Sequence, residues 1–351
     1  MKRNVFMLKL LGAIMCCGAT TVTAADQCYA PGANCCEWSF YDGKIVLGAD
    51  WLYWKVQEDG ISPGSFSNGE IAPTLEIIRP DYKYSNGFRV NLGYELPCDC
   101  WDVNLAYSYV PTSAKTTRYD GLFVLGVAPY SPDVNYYPIL EPINTIISTS
   151  MTAPSETVFA KWNTNINCFD VDLGRTVCFG ECLKVRPHIG FRTIWLNQKF
   201  FVETAIKPST SVTETVDAIM KEKYTGYGVE GGLWAGWEVG CGFSVVGHVG
   251  GSILYSKFSI NHKAILLTTT TEGPTSTVVT SSLETIHDTI HTGTPTADYF
   301  VGLQYSDCLC DMLFSVVIGW EQHVMFDMNR LSTVPGNLVT QGLTLGCQIG
   351  F

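Results

Sequence analysis

The stretch that decides the fold is "GFRVNLGYELPCDCWDVNLAYSYV", residues 87–110. Apolar residues occupy every second position on both sides of the central turn: Phe88, Val90, Leu92, Tyr94 and Leu96, then Trp101, Val103, Leu105, Tyr107 and Tyr109. The positions between them are polar or small. A period of two predicts β-strands with one apolar and one polar face. The turn "PCDC" joins two such strands. A soluble β-sandwich alternates in the same way, so strand length and loop placement have to separate the two classes.

The N-terminus has the features of a secretory signal peptide. Lys2 and Arg3 precede an apolar run over 5–19, and small residues lead to a cleavage point after Ala24 or Ala25. The apolar run is shorter than the roughly 20 residues that a membrane-spanning helix needs. No later stretch is apolar over a comparable length. We therefore expect an exported chain without a transmembrane helix.

The charge balance excludes one class of partner. The formal net charge is −11, and it becomes −14 once Lys2, Arg3 and Lys9 leave with the signal peptide. Contacts to nucleic-acid phosphates need lysine and arginine, and the linear sequence contains no basic stripe. We therefore expect no nucleic-acid partner.

Alternating runs of 10 to 15 residues recur along the chain. Soluble strands are usually about 5 or 6 residues long, whereas strands that cross a bilayer need about 9 to 11. The runs predict strands at 44–56, 87–96, 101–110, 156–177, 184–198, 227–239, 243–257, 298–306, 312–326 and 338–351. Segments 199–224 and 268–296 are predicted as outer loops, although the first could contain strand. A hinge at "NTNIN" (163–167) would split one strand into two. The predicted number of strands is therefore 10 to 14.

Long connections fall on one side of this arrangement, and short turns and both termini fall on the other. Outer-membrane barrels have this layout, and closure pairs every backbone group within lipid. The last strand, "LTLGCQIGF", ends on Phe351, which we interpret as the assembly signal of an outer-membrane protein. We therefore predict an all-β, antiparallel up-and-down transmembrane β-barrel. It comprises residues 44–351, after a signal peptide (1–25) and a cysteine-containing periplasmic segment (26–43).

Cysteines cluster on the predicted periplasmic side. The disulfide candidates are Cys28, Cys35, Cys36, Cys98, Cys100, Cys168, Cys178, Cys182, Cys241, Cys308, Cys310 and Cys347. C-x-C spacing suits neither zinc nor a thioredoxin-like centre, which use C-x-x-C. We expect no metal and no cofactor. Disulfides to other cysteine-rich envelope proteins and staples within one molecule both stay open, and the one-sided placement favours the former.

Several segments resemble the Legionella-type major outer membrane protein family. They are "GADWLYWKVQEDG" (48–60), "FDVDLGRTV" (169–177), "VRPHIGFRTIWLNQKF" (185–200) and "GLWAGWEVG" (232–240). The resemblance runs from residue 44 to residue 351. It implies an abundant outer-membrane porin without catalytic residues. The number of cysteines resembles the branch found in chlamydia-like bacteria, whose envelopes are held by disulfide-linked proteins.

We expect passive diffusion of small hydrophilic solutes through a polar lumen. The pore-lining candidates are Asp50, Arg89, Asn91, Glu95, Asp102, Asn104, Asp170, Asp172, Arg186, His188, Arg192, Glu230 and Glu238. A surface adhesin or scaffold without a significant pore is the main alternative. An outer-rim protease using His287, Asp288 and His291, or a metal held by the two histidines, is weaker. The expected partners are outer-membrane lipid, envelope proteins and a possible second copy of the chain.

Overall fold

The computed structural model describes residues 44–62, 64–67, 75–96, 100–116, 119–120, 123–124, 155–180, 182–209, 211–272, 275–309, 312–331 and 336–351. Regular structure within these residues is all β. The strands are β1 (Lys44–Glu58), β2 (Gly64–Ser67), β3 (Leu75–Ile78), β4 (Tyr84–Glu95), β5 (Trp101–Lys115), β6 (Tyr119–Asp120), β7 (Phe123–Val124), β8 (Ser155–Arg175), β9 (Val177–Phe179), β10 (Leu183–Ser209), β11 (Val212–Gly240), β12 (Phe243–Glu272), β13 (Thr275–Leu309), β14 (Met312–Met325) and β15 (Leu338–Gly350). The predicted signal peptide and the segment 26–43 lie outside the described residues.

Ten long strands form a closed antiparallel ring in the order β1, β4, β5, β8, β10, β11, β12, β13, β14 and β15. Pairing of β1 with β15 closes the ring, from Val46 opposite Gly350 to Glu58 opposite Leu338. The short strand β9 pairs beside β10, β6 pairs with β8, and β2, β3 and β7 form a separate small sheet. This confirms the predicted all-β antiparallel barrel at the lower end of the predicted strand number.

Two segments predicted as loops are strands. Residues 199–224 continue β10 and β11, which stay paired to Ser209 opposite Val212. Residues 268–296 continue β12 and β13, which pair to Glu272 opposite Thr275. The loop prediction for 268–296 was wrong, and the strand content left open for 199–224 is present. The outward face turns polar where these strands leave the lipid, which removes the apolar alternation while backbone pairing continues. The hinge in 163–167 is also absent, since β8 stays in register with β5 there.

The outward face of the barrel carries an apolar band. Exposed apolar side chains in this band include Ile45, Leu47, Val90, Leu92, Ile189, Val229, Val249, Ile253, Val301, Leu303, Ile318, Leu345 and Ile349. Aromatic residues border it on the long-hairpin side, among them Trp51, Tyr53, Trp195, Tyr227, Tyr255, Tyr299 and Trp320. Such a band with an aromatic border is typical of a barrel surface that faces lipid. Among the described residues, no helix is long and apolar enough to cross a membrane.

The hydrophobic core lies inside the ring, towards the long-hairpin end. It includes Leu52, Trp54, Val56, Ile61, Val110, Ala114, Ala160, Trp162, Ile166, Ile194, Leu196, Phe200, Val202, Ala218, Met220, Tyr224, Leu254, Phe258, Met325, Met328, Leu331 and Leu338. We call this set the apolar plug. Its members come from eight of the ten ring strands, from Ile61 just after β1, and from the β14–β15 connection. Side chains that are buried on opposite sides of a ring and touch across it fill the lumen, as expected for a narrow barrel.

Candidate functional site in the barrel lumen

Arg192 of β10 is the centre of a charged cluster at membrane depth. Its Nε lies 2.8 Å from Asp170 Oδ1, and its Nη2 lies 2.9 Å from Glu230 Oε2. Nη1 forms a third ion pair, with Asp298. Arg192 is only 8 % exposed, so these pairs are held away from bulk water. A buried guanidinium with several carboxylate partners satisfies its fixed fork of donors.

Arg89 of β4 makes a second ion pair on the other side of the lumen. Its Nη2 lies 2.7 Å and its Nη1 3.2 Å from the two oxygens of Glu321 on β14, which is a bidentate arrangement. Nη1 also lies 3.5 Å from Asp50 Oδ2. Glu321 accepts a further hydrogen bond from Thr344 Oγ1 at 2.8 Å. Since Arg89 reaches across from β4 to β14, the pair spans β1 and β15, which lie between them in the ring.

His323 of β14 joins the two arginine clusters. Its Nε2 lies 2.9 Å from Glu321 Oε1, and its Nδ1 lies 2.7 Å from Asp298 Oδ1. Asp298 in turn pairs with Arg192. The result is one connected network from Arg89 to Arg192 that crosses the lumen. A network in which each charge has several partners keeps its geometry better than isolated pairs do.

A third cluster lies nearer the short-turn end. Arg186 Nε lies 2.9 Å from Asp102 Oδ1, and Arg186 Nη2 lies 2.5 Å from Asp172 Oδ1. An added Cβ at Gly174 would stand 2.3 Å from the Arg186 guanidinium carbon, so glycine leaves the space that this arginine occupies. Closer to the rim, Lys184 Nζ lies 2.5 Å from Glu238 Oε1, and both side chains are about a third exposed.

The apolar plug is completed by the connection between β14 and β15. Met328 and Leu331 in this connection are fully buried. The Arg330 backbone N donates to Glu222 Oε2 at 3.1 Å, which ties the connection to β11, and Met328 N donates to Gly336 O at 2.8 Å. The described residues 326–331 of this connection therefore fold into the interior of the barrel.

Two buried carboxyl groups lie against this connection, beyond the aromatic border. Burial raises the pKa of Glu222 to about 8. Burial, together with the neighbouring Glu222, raises the pKa of Glu58 well above its usual value. Gln198 Nε2 donates to Glu222 Oε1 at 3.4 Å and links it to Trp162 through the ring N–H. Protonated carboxyls suit this dry environment, because the charged form would lose its hydration there.

All thirteen predicted pore-lining residues point into the barrel. Ten of them form the three clusters or their hydrogen-bonded neighbours, since Asn91 donates to Asp50 and Asn104 to Asp172. Glu95 pairs across the ladder with Asp102, Glu238 meets Lys184 at the rim, and the His188 ring stacks on His248 at 5.2 Å between centroids. Their role in conduction stays a prediction.

Sequence reasoning missed Asp298, Glu321 and His323, which connect the arginines. The sequence did indicate that Glu321 and His323 point inward, because they alternate with Trp320 and Gln322, which face outward on β14. At membrane depth the ion pairs of the described lumen join seven carboxylates to three arginines and one histidine. These are Asp50, Asp102, Asp170, Asp172, Glu230, Asp298 and Glu321, with Arg89, Arg186, Arg192 and His323.

The residues considered for a protease site do not converge. All three lie on β13. His287 and His291 face outward, and Asp288 is on the opposite, inward face of the strand. His291 Nδ1 lies 3.1 Å from the Tyr255 hydroxyl, and Asp288 accepts from the backbone N of the next residue. Within the described part of the chain, no group of three or more histidine, cysteine and acidic residues could hold a metal ion.

The described cysteines occupy different environments. Cys100, Cys178, Cys182 and Cys241 lie in or beside the short turns, as predicted; Thr176 N donates to Cys100 O, and Glu238 N donates to Cys182 O. Cys168 instead carries a free thiol inside the lumen, 3.3 Å from Asp170 Oδ1. Cys347 faces outward with a free thiol. Disulfide bonding stays a prediction, and Cys28, Cys35, Cys36, Cys98 and Cys310 lie outside the described residues.

Comparison with known proteins places this barrel among outer-membrane proteins. Residues 34–347 match the family model of the Legionella pneumophila major outer membrane protein precursor. Similar solved structures include a major outer membrane protein from Thermus thermophilus (11% identity, 88% of this chain and 99% of that chain, TM-score 0.32). Another is the outer membrane protease OmpT from Escherichia coli (8% identity, 88% and 97%, TM-score 0.45). No curated protein matches the chain.

Proposed function

The chain belongs to the family of the Legionella pneumophila major outer membrane protein, and from this premise we propose that it is a structural barrel of the outer membrane whose lumen is closed to solutes at rest. The observation that carries the proposal is the apolar plug. Trp162, Leu196 and Leu331 are fully buried, which leaves no space for water beside them. A diffusion pore needs a continuous aqueous path, and the plug interrupts it.

The energy needed to open the plug follows from its buried area. Met328 and Leu331 are both fully buried in the β14–β15 connection. Exposing a buried side chain of this size costs about 1.5–3 kcal/mol, so moving the connection out of the lumen costs about 5 kcal/mol. A state with the connection displaced then has a population of roughly one molecule in several thousand at 25 °C, and a state that also opens the rest of the plug is rarer still. The resting barrel conducts rarely on this basis.

A second candidate is a porin for passive diffusion of small hydrophilic solutes. The charged network at membrane depth favours this function. An inert scaffold has no need of charged groups there and could fill the lumen with apolar residues. The excess of carboxylates over arginines in this network would favour cations. Diffusion through this lumen requires both the plug and the ion pairs to move. The two candidates therefore differ in resting conductance.

Planar-bilayer recording of the refolded chain separates these functions. The test variant is Met328→Gln with Leu331→Gln, which makes polar the two side chains that the connection contributes to the plug. The matched control is Val278→Gln with Val279→Gln, two exposed apolar residues near the tip of the β12–β13 hairpin. Heat-modifiable electrophoretic mobility verifies folding of all three proteins.

We expect the wild type and the control to show no channel steps. Steps in the plug variant alone would mean that the plug closes a pore that can conduct, and silence in all three supports a scaffold. Steady steps from the folded wild type, unchanged in the plug variant, would overturn the proposal and leave the open porin.

A further inference from the structure

The outer surface of the barrel carries a group of lysines that we call the lysine face. Seven lysines on five adjacent strands point outward and are exposed. They are Lys115, Lys161, Lys199, Lys221, Lys223, Lys257 and Lys263. They are scattered through the sequence, which is why it shows no basic stripe. Strand register brings them together on β5, β8, β10, β11 and β12.

Lysines stand directly opposite each other in two places on this face. Lys199 pairs across the ladder with Lys221, and Lys115 pairs with Lys161. Like charges in directly opposed positions destabilise a sheet. The ion pairs found among the described residues include none of these seven lysines. An acidic chain therefore places these seven positive charges together without an ion pair to any of its described residues.

The lower lysines lie at the level of lipid headgroups. Lys257 is two residues beyond Tyr255, and Lys223 is four residues beyond Tyr227, both in the direction of the long hairpins. At about 3.4 Å per residue and a strand tilt of about 45°, they lie roughly 5–10 Å beyond the aromatic border. Aromatic belts mark the headgroup region of a membrane. Lysine side chains at this height extend their amines into the layer of lipid phosphates.

The opposite half of the barrel lacks such a surface. On β14 and β15 the outward positions just beyond the aromatic border hold Gln322 and Gln341, and on β1 they hold Lys55 and then Gln57. Lys55 is the corresponding lysine on β1, and it is half-buried. Lys83, beside β4, is exposed but pairs with Asp81 at 3.5 Å. Positive charge without an ion-pair partner is therefore much denser on the lysine face, an asymmetry that a general attraction to the membrane surface would not need.

We propose that the lysine face binds the phosphate groups of an anionic glycolipid in the outer leaflet of the outer membrane. The opposed lysines place ammonium groups on neighbouring strands, a spacing that suits several phosphates on one headgroup. Binding neutralises the like-charge pairs, and the long apolar band below receives the acyl chains. A soluble sulfated polysaccharide could use the same charges, but it would gain nothing from their position at the edge of the lipid band.

The test uses the full refolded chain in detergent micelles with three probes. These are purified lipopolysaccharide, the same lipid after enzymatic removal of its phosphates, and heparin. The test variant is Lys199→Gln with Lys221→Gln, and the matched control is Lys55→Gln with Lys83→Gln, which removes two charges from the other side. Titration by native mass spectrometry and by fluorescence gives the affinities.

We expect the wild type to bind the phosphorylated lipid and the dephosphorylated lipid to lose most of that affinity. The test variant should bind the phosphorylated lipid roughly 30-fold more weakly, and the control should stay within about twofold. Equal loss in both variants, equal binding of the two lipids, or binding of heparin without binding of lipid would each overturn the proposal. Folding of both variants is verified by electrophoretic mobility before titration.

Discussion

Removal of Arg192 is expected to destabilise the barrel strongly. Its guanidinium forms ion pairs with Asp170, Glu230 and Asp298 while being 8 % exposed. Methionine has a similar length but no charge, so Arg192→Met leaves three carboxylates facing one another in the lumen. Breaking a buried ion pair by removing one partner costs about 3–5 kcal/mol. We expect about 4 kcal/mol here, because His323 still holds Asp298 but Asp170 and Glu230 lose their arginine.

The assay is equilibrium unfolding of the refolded barrel in phospholipid vesicles by guanidinium chloride, followed by tryptophan fluorescence. Lys184→Met is the control, because its pair with Glu238 is about a third exposed on both sides and such pairs contribute about 1 kcal/mol or less. Adding Asp298→Asn to Arg192→Met should recover part of the loss. An Arg192→Met barrel within about 1 kcal/mol of the Lys184→Met barrel would refute the buried network as a source of stability.

Three further predictions concern other parts of the molecule. Gly174→Ala should displace the Arg186 guanidinium and cost about 1–3 kcal/mol in the same unfolding assay, whereas Gly293→Ala, where an added Cβ meets no atom within 4 Å, should be nearly neutral. Because the folded-state pKa of Glu222 is raised, the plug binds a proton that the displaced state releases, so its stability should fall as pH rises from about 5 to about 8. Hydrogen exchange of residues 326–331, corrected for intrinsic rates, measures this, and Glu222→Gln should flatten the dependence. Non-reducing electrophoresis of isolated envelopes should show complexes larger than a monomer that reductant dissolves, and monomer alone at every growth stage would count against disulfides between envelope proteins.

The lipid-facing part of the fold could be predicted from the sequence because two environments meet at each strand there. In 88–96 and 101–109 the outward positions are apolar and the inward positions are polar or small, so the alternation is continuous. Where β12 and β13 leave the lipid, the contrast disappears, and the threonine-rich hairpin looked like a loop. The backbone pairing of this hairpin depends on which strand lies beside it, and the residue types of the segment alone do not show that.

The interior was harder to predict than the exterior. In "WLYW", residues 51–54, Trp51 and Tyr53 face lipid while Leu52 and Trp54 belong to the plug. A run that is apolar on both faces indicates a lumen that is filled at that height, and this was the available signal. The three arginines were predicted to point into the lumen from the alternation of side chains along their strands. Their partners could not be, because Arg89 and Glu321 lie 232 residues apart in the chain and meet only after the ring closes.

The β14–β15 connection also has a consequence for the order of assembly. Asp59 N donates to Asn337 O at 3.0 Å, directly beyond the seam where β1 pairs with β15. The seam joins the first and last strands of the ring, so it carries the greatest loop-closure entropy and should form late. The segment that fills the lumen is attached to this seam. We therefore expect Met328 and Leu331 to reach their buried positions only when the final strand pairs with the first, so that closing the wall and completing the filling of the lumen become one kinetic event.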